Sequence, residues 1–449
     1  MKHFSLLFCI MIASLFSFSQ VENFDLSKYK LPNIKRQQLD FDFQSGGQNS
    51  SSKYFSYYPN YSDTIKDVNN RFTGNYNLGY SFYLNTRNIQ SLITAGTYGN
   101  YSKTKQENIN YSSQDNYIFQ NNLSFNYDLK YFLTPTNWFI ATTPYYAFSY
   151  YNYKEHESDL EYKNLYNSVK ISIGGGKGRI EQVQDFRHAV LLIEELDKRR
   201  VSTRNISEAE MIELSTLISQ LKNKRFFDSR KQKETELVAL DSFFVDKGII
   251  DNKSIQYFTG LEDIWTYGGL QVRESGKQVL FSITPGYVFD KDLEHIENNI
   301  NEEILMHYNL SFVAKNPISI KWQGNYRFGL IHEYLNRLQQ QNSNLGEKSY
   351  ESRALVNGEF GYYPNTRTNF SLSSTVSLSN MGDEKILDKE KYGAHLQITT
   401  SGYYYISEKL RAGYSVSFYT SKYGIFNNEL DNTYYKTLYY SFNLNYAIF

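Results

Sequence analysis

Six histidines outside the first twenty residues, His156, His188, His295, His307, His332 and His395, are the side chains best suited to acid–base or metal chemistry near neutral pH. A Ser/His pair requires the base within hydrogen-bond reach of an activated hydroxyl, and a metal requires several convergent donors. Ser311 shares a strand face with His307 but stands four residues along it, too far for contact, and no two histidines have metal-ligand spacing on one face. The run Gly174-Gly175-Gly176-Lys177-Gly178-Arg179 superficially suggests a phosphate loop. It lacks the G-x-x-x-x-G-K-[ST] spacing and is better explained as a flexible link between two elements. Lys198-Arg199-Arg200 is balanced by Glu194, Glu195 and Asp197 and reads as a solvated helix end. The expectation is a chain that is not an enzyme and has no cofactor or metal site. What remains is a set of charges on the polar phase of alternating segments: Asp128, Lys130, Lys170, Lys321, Arg327, Glu333, Glu359 and Arg411. Charges of both signs there predict the lining of a polar interior.

Those charges are positioned by strands. From Phe72 the even positions (Phe72, Tyr76, Leu78, Tyr80, Phe82, Leu84) are apolar and the odd ones polar, and the pattern recurs from Tyr117 to Tyr131, from Ile318 to Leu330 and from Phe370 to Leu378. A soluble sandwich also alternates. These segments, however, exceed the 5–6 residues common in soluble strands and accommodate the 9–11 that cross a bilayer at a tilt. About fourteen such segments are legible, beginning near 38, 71, 89, 117, 138, 162, 278, 302, 318, 351, 366, 391, 409 and 433. Their connections alternate between short turns, three of which hold Pro135, Pro317 and Pro364, and long polar loops. Pro144 and Pro285 fall inside strands and are expected to mark bulges.

Composition agrees. Of 449 residues 42 are Tyr, and 40 of those lie outside 175–277. A ring with one oily and one hydrogen-bonding end suits a lipid–water boundary. Basic and acidic residues number 47 each, which argues against a general affinity for nucleic acid. The single cysteine, Cys9, excludes a disulfide scaffold. Phe4–Phe18 is an apolar run behind Lys2 and His3, so residues 1–20 are expected to be a secretory signal peptide.

Residues 175–277 differ from the flanks, with 17 basic and 17 acidic residues, nine aromatics and no Pro. Three helices are expected there: a stripe of Ile180, Val183, Phe186 and Val190; a capping box at Ser207 to Glu210 followed by Met211, Leu214 and Leu221; and a segment over 229–247 ending at Gly248. The predicted organisation is therefore signal peptide 1–20, barrel 21–174, α-helical insert 175–277 and barrel 278–449. The fold class is mainly β, a transmembrane antiparallel β-barrel of about 14 strands with a small α-helical insert.

On the alternating segments, the short-turn/long-loop alternation and the aromatic terminus Phe449, the chain resembles the outer-membrane β-barrel proteins of Gram-negative bacteria. That resemblance implies porin-like transport through the outer membrane, the lipid bilayer and the barrel-assembly machinery as partners, and an insert on the periplasmic side. The expected function is a channel or transporter for small solutes. The alternative is a docking protein whose insert, over 180–260, binds a periplasmic protein or peptidoglycan.

Overall fold

The computed structural model describes residues 26–446 apart from 59–60, 109–113, 134–135, 156–160, 224–228, 252, 270–271, 294–297, 340–347, 384–390, 407–409 and 424–433. The expected signal peptide and Phe449 lie outside the described residues. The chain forms β1 (Ile34–Tyr58), β2 (Tyr61–Asn85), β3 (Ile89–Asn108), β4 (Gln114–Leu133), β5 (Trp138–Glu155) and β6 (Glu161–Gln182), then α1 (Gln184–Lys198), α2 (Glu208–Lys222), α3 (Ser229–Asp246) and α4 (Ile255–Tyr267). Eight strands follow: β7 (Glu274–Leu293), β8 (Asn298–Pro317), β9 (Trp322–Gln339), β10 (Lys348–Tyr362), β11 (Thr368–Asp383), β12 (Lys391–Tyr405), β13 (Leu410–Tyr423) and β14 (Tyr434–Tyr446).

All fourteen strands lie in one sheet in sequence order, each antiparallel to the next. The alternation read from the sequence is the register of this sheet. Its apolar phase stays in the open, with Leu123, Phe125, Ile140, Ile173, Phe281, Leu330 and Leu372 all exposed. A belt of exposed large apolar side chains on a sheet is the mark of a lipid-facing surface. The opposite face turns inward. Lys130 on β4 donates to Gln278 Oε1 on β7 at 3.0 Å, across two intervening strands. The helical segment touches both Arg36 on β1 and Tyr405 on β12. In a flat sheet those strands would stand roughly 53 Å apart, whereas helices of this length reach only about 20–27 Å. The sheet is therefore curled around an interior, and the fold is a transmembrane antiparallel β-barrel with a helical insert.

Strand length falls around the wall, from 25 residues in β1 and β2 to 13 in β14. Among the described residues no ladder joins β14 back to β1. Side chains at these two edges, such as Phe41, Phe43, Tyr440 and Phe442, are among the most exposed in the molecule.

Three expectations need correction. The glycine run is not a flexible link: Gly174 to Gly178 belong to β6, where Gly174 to Lys177 pair with both β5 and β7 and Gly178 with β7. Consequently the insert starts at Val183 rather than 175, Ile180 is a strand residue, and β7 begins at Glu274 rather than 278. The two mid-strand prolines cause no bulge. Each interrupts a ladder, at Asn126/Tyr145 to Leu129/Thr142 and at Lys170/Gly286 to Ile173/Ile283, and the register resumes unshifted. Proline removes a donor there without adding a residue. Among the described residues the register shift falls elsewhere, between Glu302 and Glu303. Lastly, the described residues of the insert form four helices, not three.

The insert carries the main apolar core. Val183, Phe186, Leu192, Met211, Leu214 and Leu261 are buried together with Leu26, Tyr29, Leu31 and Ile34 from the segment leading into β1. The second cluster, Phe132, Phe139 and Ala141, is confined to the wall. The α2 start is capped as expected, with Ser207 accepting from the Glu210 backbone and Glu210 reaching back to the Ser207 backbone.

Candidate functional site

The barrel face opposite the lipid belt is polar and turns inward. At one end of it, the end with the short turns, the insert lies against the wall. Arg273, fully buried just before β7, is the main attachment. Its Nε donates to Gln323 Oε1 at 2.9 Å, and its terminal nitrogens donate to the backbone carbonyls of Ile320 (2.9 Å), Ser319 (2.7 Å) and Trp322 (2.8 Å). Arg187 on α1 donates to the same Ile320 carbonyl at 3.1 Å. Both guanidiniums lie over the Tyr363 ring, at 5.0 Å for Arg273 and 5.8 Å for Arg187. Burial pushes both below the ordinary guanidinium range, Arg273 to about 9 and Arg187 to about 10, so both stay charged at neutral pH.

Further attachments come from around the circumference. Arg36 on β1 donates to Asn223 Oδ1 and faces Asp185 at 4.0 Å. Arg367, before β11, contacts Asp263 on α4 at 3.5 Å. Tyr267 at the end of α4 packs on Tyr405 of β12. On the wall itself Arg179 reaches from β6 to the β2–β3 turn, donating to Asn85 Oδ1 and to the carbonyls of Thr86 and Arg87. Phe132 lies beneath its guanidinium at 4.6 Å. The insert is thus fastened to strands and turns from β1 to β12, across one mouth of the barrel.

Inside the insert, Asp185 pairs with Lys222 at 3.0 Å, although the carboxylate is almost fully buried. His188 beside them is completely buried; its Nε2–H donates to the Ile264 carbonyl at 2.9 Å and its ring stacks on Trp265. Burial holds the imidazole well below its usual pKa, and the Lys222 and Arg187 charges push the same way. The unfolded insert therefore takes up a proton near pH 6.5 that the folded one refuses. Stability should be level above that pH and fall by about 1.4 kcal/mol per unit below it. Thermal unfolding of the insert followed from pH 8 to pH 5 should show this slope for the native protein and lose it in His188→Gln; an unchanged slope would refute the assignment.

The charges picked out from sequence occupy different surroundings. Asp128 lies on the inner face opposite Leu92, and Lys130 bridges to Gln278. Lys170 lies against Gly286. Arg327 sits between Val313 and Asn357, exposed to the lumen. Glu333 contacts His307 Nδ1 at 3.3 Å, Glu359 accepts from Asn325 at 3.1 Å, and Arg411 lies over the Tyr403 and Tyr405 rings. Lys321 does not join them. The chain turns over 318–321, so Lys321 is exposed in the turn before β9 and Ile320 is buried under the insert. The register sets Ser311 opposite Gly329 and His307 opposite Glu333, which keeps that hydroxyl and imidazole apart. The residues that hold the insert were not singled out from sequence. A signal existed in Arg187, a charge set among the apolar positions of α1.

No family model matches the chain, and no curated protein matches it. Among solved structures, 28 chains match. One is a bacterial polysaccharide outer membrane secretin, with 6% identity over 93% of this chain and 99% of that one at a TM-score of 0.27. OmpT of Vibrio cholerae has 8% identity, coverage of 91% and 96% and a TM-score of 0.24. The transport unit of the autotransporter AIDA-I from Escherichia coli has 9% identity, coverage of 96% and 95% and a TM-score of 0.21.

Proposed function

We propose that this chain is an outer-membrane channel for small solutes whose periplasmic mouth is closed by its own helical insert. The observation that carries the reading is the placement of the insert's attachments on β1, on the β8–β9 and β10–β11 turns and on β12, with a polar inner wall beyond them. A barrel of fourteen strands is wider than the small barrels that side chains fill. The lipid belt outside and the hydrogen-bonding face inside suit a water-filled passage, and solute flow requires the insert to swing off the mouth. Short turns mark the periplasmic end of such barrels, which supports a periplasmic position for the insert.

The test uses the absence of cysteine after residue 20. Asp263→Cys with Arg367→Cys places one thiol on the insert and one on the barrel, to be joined by a short, reducible bifunctional reagent. In planar bilayers the unlinked full-length protein should show stepwise conductance; linking should abolish the steps and reductant should restore them. Steps that persist after verified linking would overturn the closure. No steps in any state, together with co-purification of a periplasmic protein, would favour the docking reading of the insert instead.

A further inference from the structure

The inner face is chemically uneven. On β7 to β10 it is charged, with Arg327 exposed to the lumen and Glu359 bonded to Asn325, while other charges meet at short range: His307 with Glu333 (3.3 Å), Glu303 with Arg337 (3.5 Å), Lys315 with Glu274 (3.0 Å) and Arg353 with Glu351 (2.5 Å). The Lys–Glu and Arg–Glu pairs leave little net field of their own to attract a solute of either sign. On β11 to β13 the inward positions over Ser371–Thr375, Gln397–Ser401 and Ser415–Ser417 are short hydroxyls and amides, and beyond them His395 and Tyr419 bond each other at 3.1 Å. Ser371 faces Ser401, Ser373 faces Thr399 and Thr375 faces Gln397, and Thr399 and Ser401 in turn face Ser417 and Ser415. Several hydroxyls bond laterally, Ser371 to Ser401 at 2.7 Å and Thr399 to Ser417 at 2.9 Å. One such bond engages a single donor of the two, so each pair still offers a free O–H and free lone pairs to the lumen. Rows of this kind recur about every 6.8 Å along the strands. At the closed end the track meets the inward rings of Tyr403 and Tyr405, stacked with Arg411.

We propose that this hydroxyl track on β11–β13 is a binding path for neutral, polyhydroxylated solutes, the chemistry of an oligosaccharide. A sugar hydroxyl is donor and acceptor at once, as is each group of the track, so a solute can exchange its water shell for wall contacts step by step. An ion finds no matching charge there, and an apolar solute would leave the hydroxyls unsatisfied. Tyr405 is taken up by Tyr267 of the insert and by Arg411, which leaves Tyr403 as the ring at the mouth to meet the less polar face of a pyranose. The proposal rests on the channel reading and names its substrate class.

The test is current blockade in planar bilayers with the full-length, unlinked protein, using maltotriose as the probe and a polyethylene glycol of similar size as the control. Maltotriose should cause a saturable loss of most of the ion current, while the polymer lowers current only as it lowers bulk conductivity. Ser373→Leu with Thr399→Leu should keep the single-channel conductance largely intact and lose the saturable block; Ser373→Asn with Thr399→Asn should retain it. Steps without saturable block in the native protein would overturn the proposal while leaving the channel intact. Block that persists in the Leu pair would move the site off the track and overturn it equally. Absence of steps altogether would instead fail the channel reading on which it rests.

Discussion

Replacing Arg273 with Ala is expected to release the insert from the barrel at a cost of about 3–5 kcal/mol to the docked state. The guanidinium is fully buried and makes four hydrogen bonds to the β8–β9 turn and the start of β9, three of them to backbone carbonyls, of which that of Ile320 is buried. Charge-assisted bonds are individually worth more than neutral ones, and each acceptor left buried and unpaired adds its desolvation penalty. Arg187 shares only the Ile320 carbonyl and cannot take over the other acceptors. Lys at position 273 would keep the charge but not the planar fork, so Arg273→Lys should recover part of the loss. Limited proteolysis reads the docked state directly: cleavage within 183–273 should be far faster in Arg273→Ala, intermediate in Arg273→Lys, and accompanied by longer channel openings. Equal protease resistance in all three would show that the turn contacts do not hold the insert.

Gly176→Val is expected to destabilise the barrel wall by about 3 kcal/mol or more. A Cβ at Gly176 would meet the Val279 carbonyl oxygen at 2.0 Å and the Phe139 ring at 2.6 Å, so β6 and β7 would have to separate or Phe139 leave its cluster. Neither is available without breaking the ladder that runs through Gly176/Leu280 and Lys177/Val279. Gly175 faces the other way, where a Cβ would be 3.3 Å from the Phe139 carbonyl oxygen, and Gly175→Ala is the milder control. The shift of the folded barrel on unheated gels measures assembly: the Gly176→Val protein should be depleted of the fast-migrating folded form and the Gly175→Ala protein should not.

The glycines show where sequence reading stops. Strand alternation is a property of neighbours along the chain, and all fourteen segments were legible from it, as was the Ser207 capping box. The need for glycine at 176 depends on Phe139 and Val279, which only the folded sheet brings near. Lys321 was misplaced because Ile318, Ile320 and Trp322 continue the period of two straight through a turn. The helix Ile255–Tyr267 was missed for another reason. Its residues include Tyr257, Phe258, Thr259 and Gly260, none of them strong helix formers. It forms because Ser254 caps it and because Tyr257, Leu261, Ile264 and Trp265 are buried in the insert core. The attachments of the insert likewise join residues as far apart as 187 and 320, beyond any local pattern.

The ladder between β6 and β7 runs from Gln182/Glu274 into the membrane, and one step further the Val183 N–H still donates to the Arg273 carbonyl at 2.8 Å. The insert therefore leaves and rejoins the wall at a single point. Released from its latch, it remains leashed by both ends, and its effective concentration at the mouth stays in the millimolar range or above. Reclosure is then a first-order event that does not depend on how much protein is in the membrane, and the open state should be brief and repeated rather than lasting.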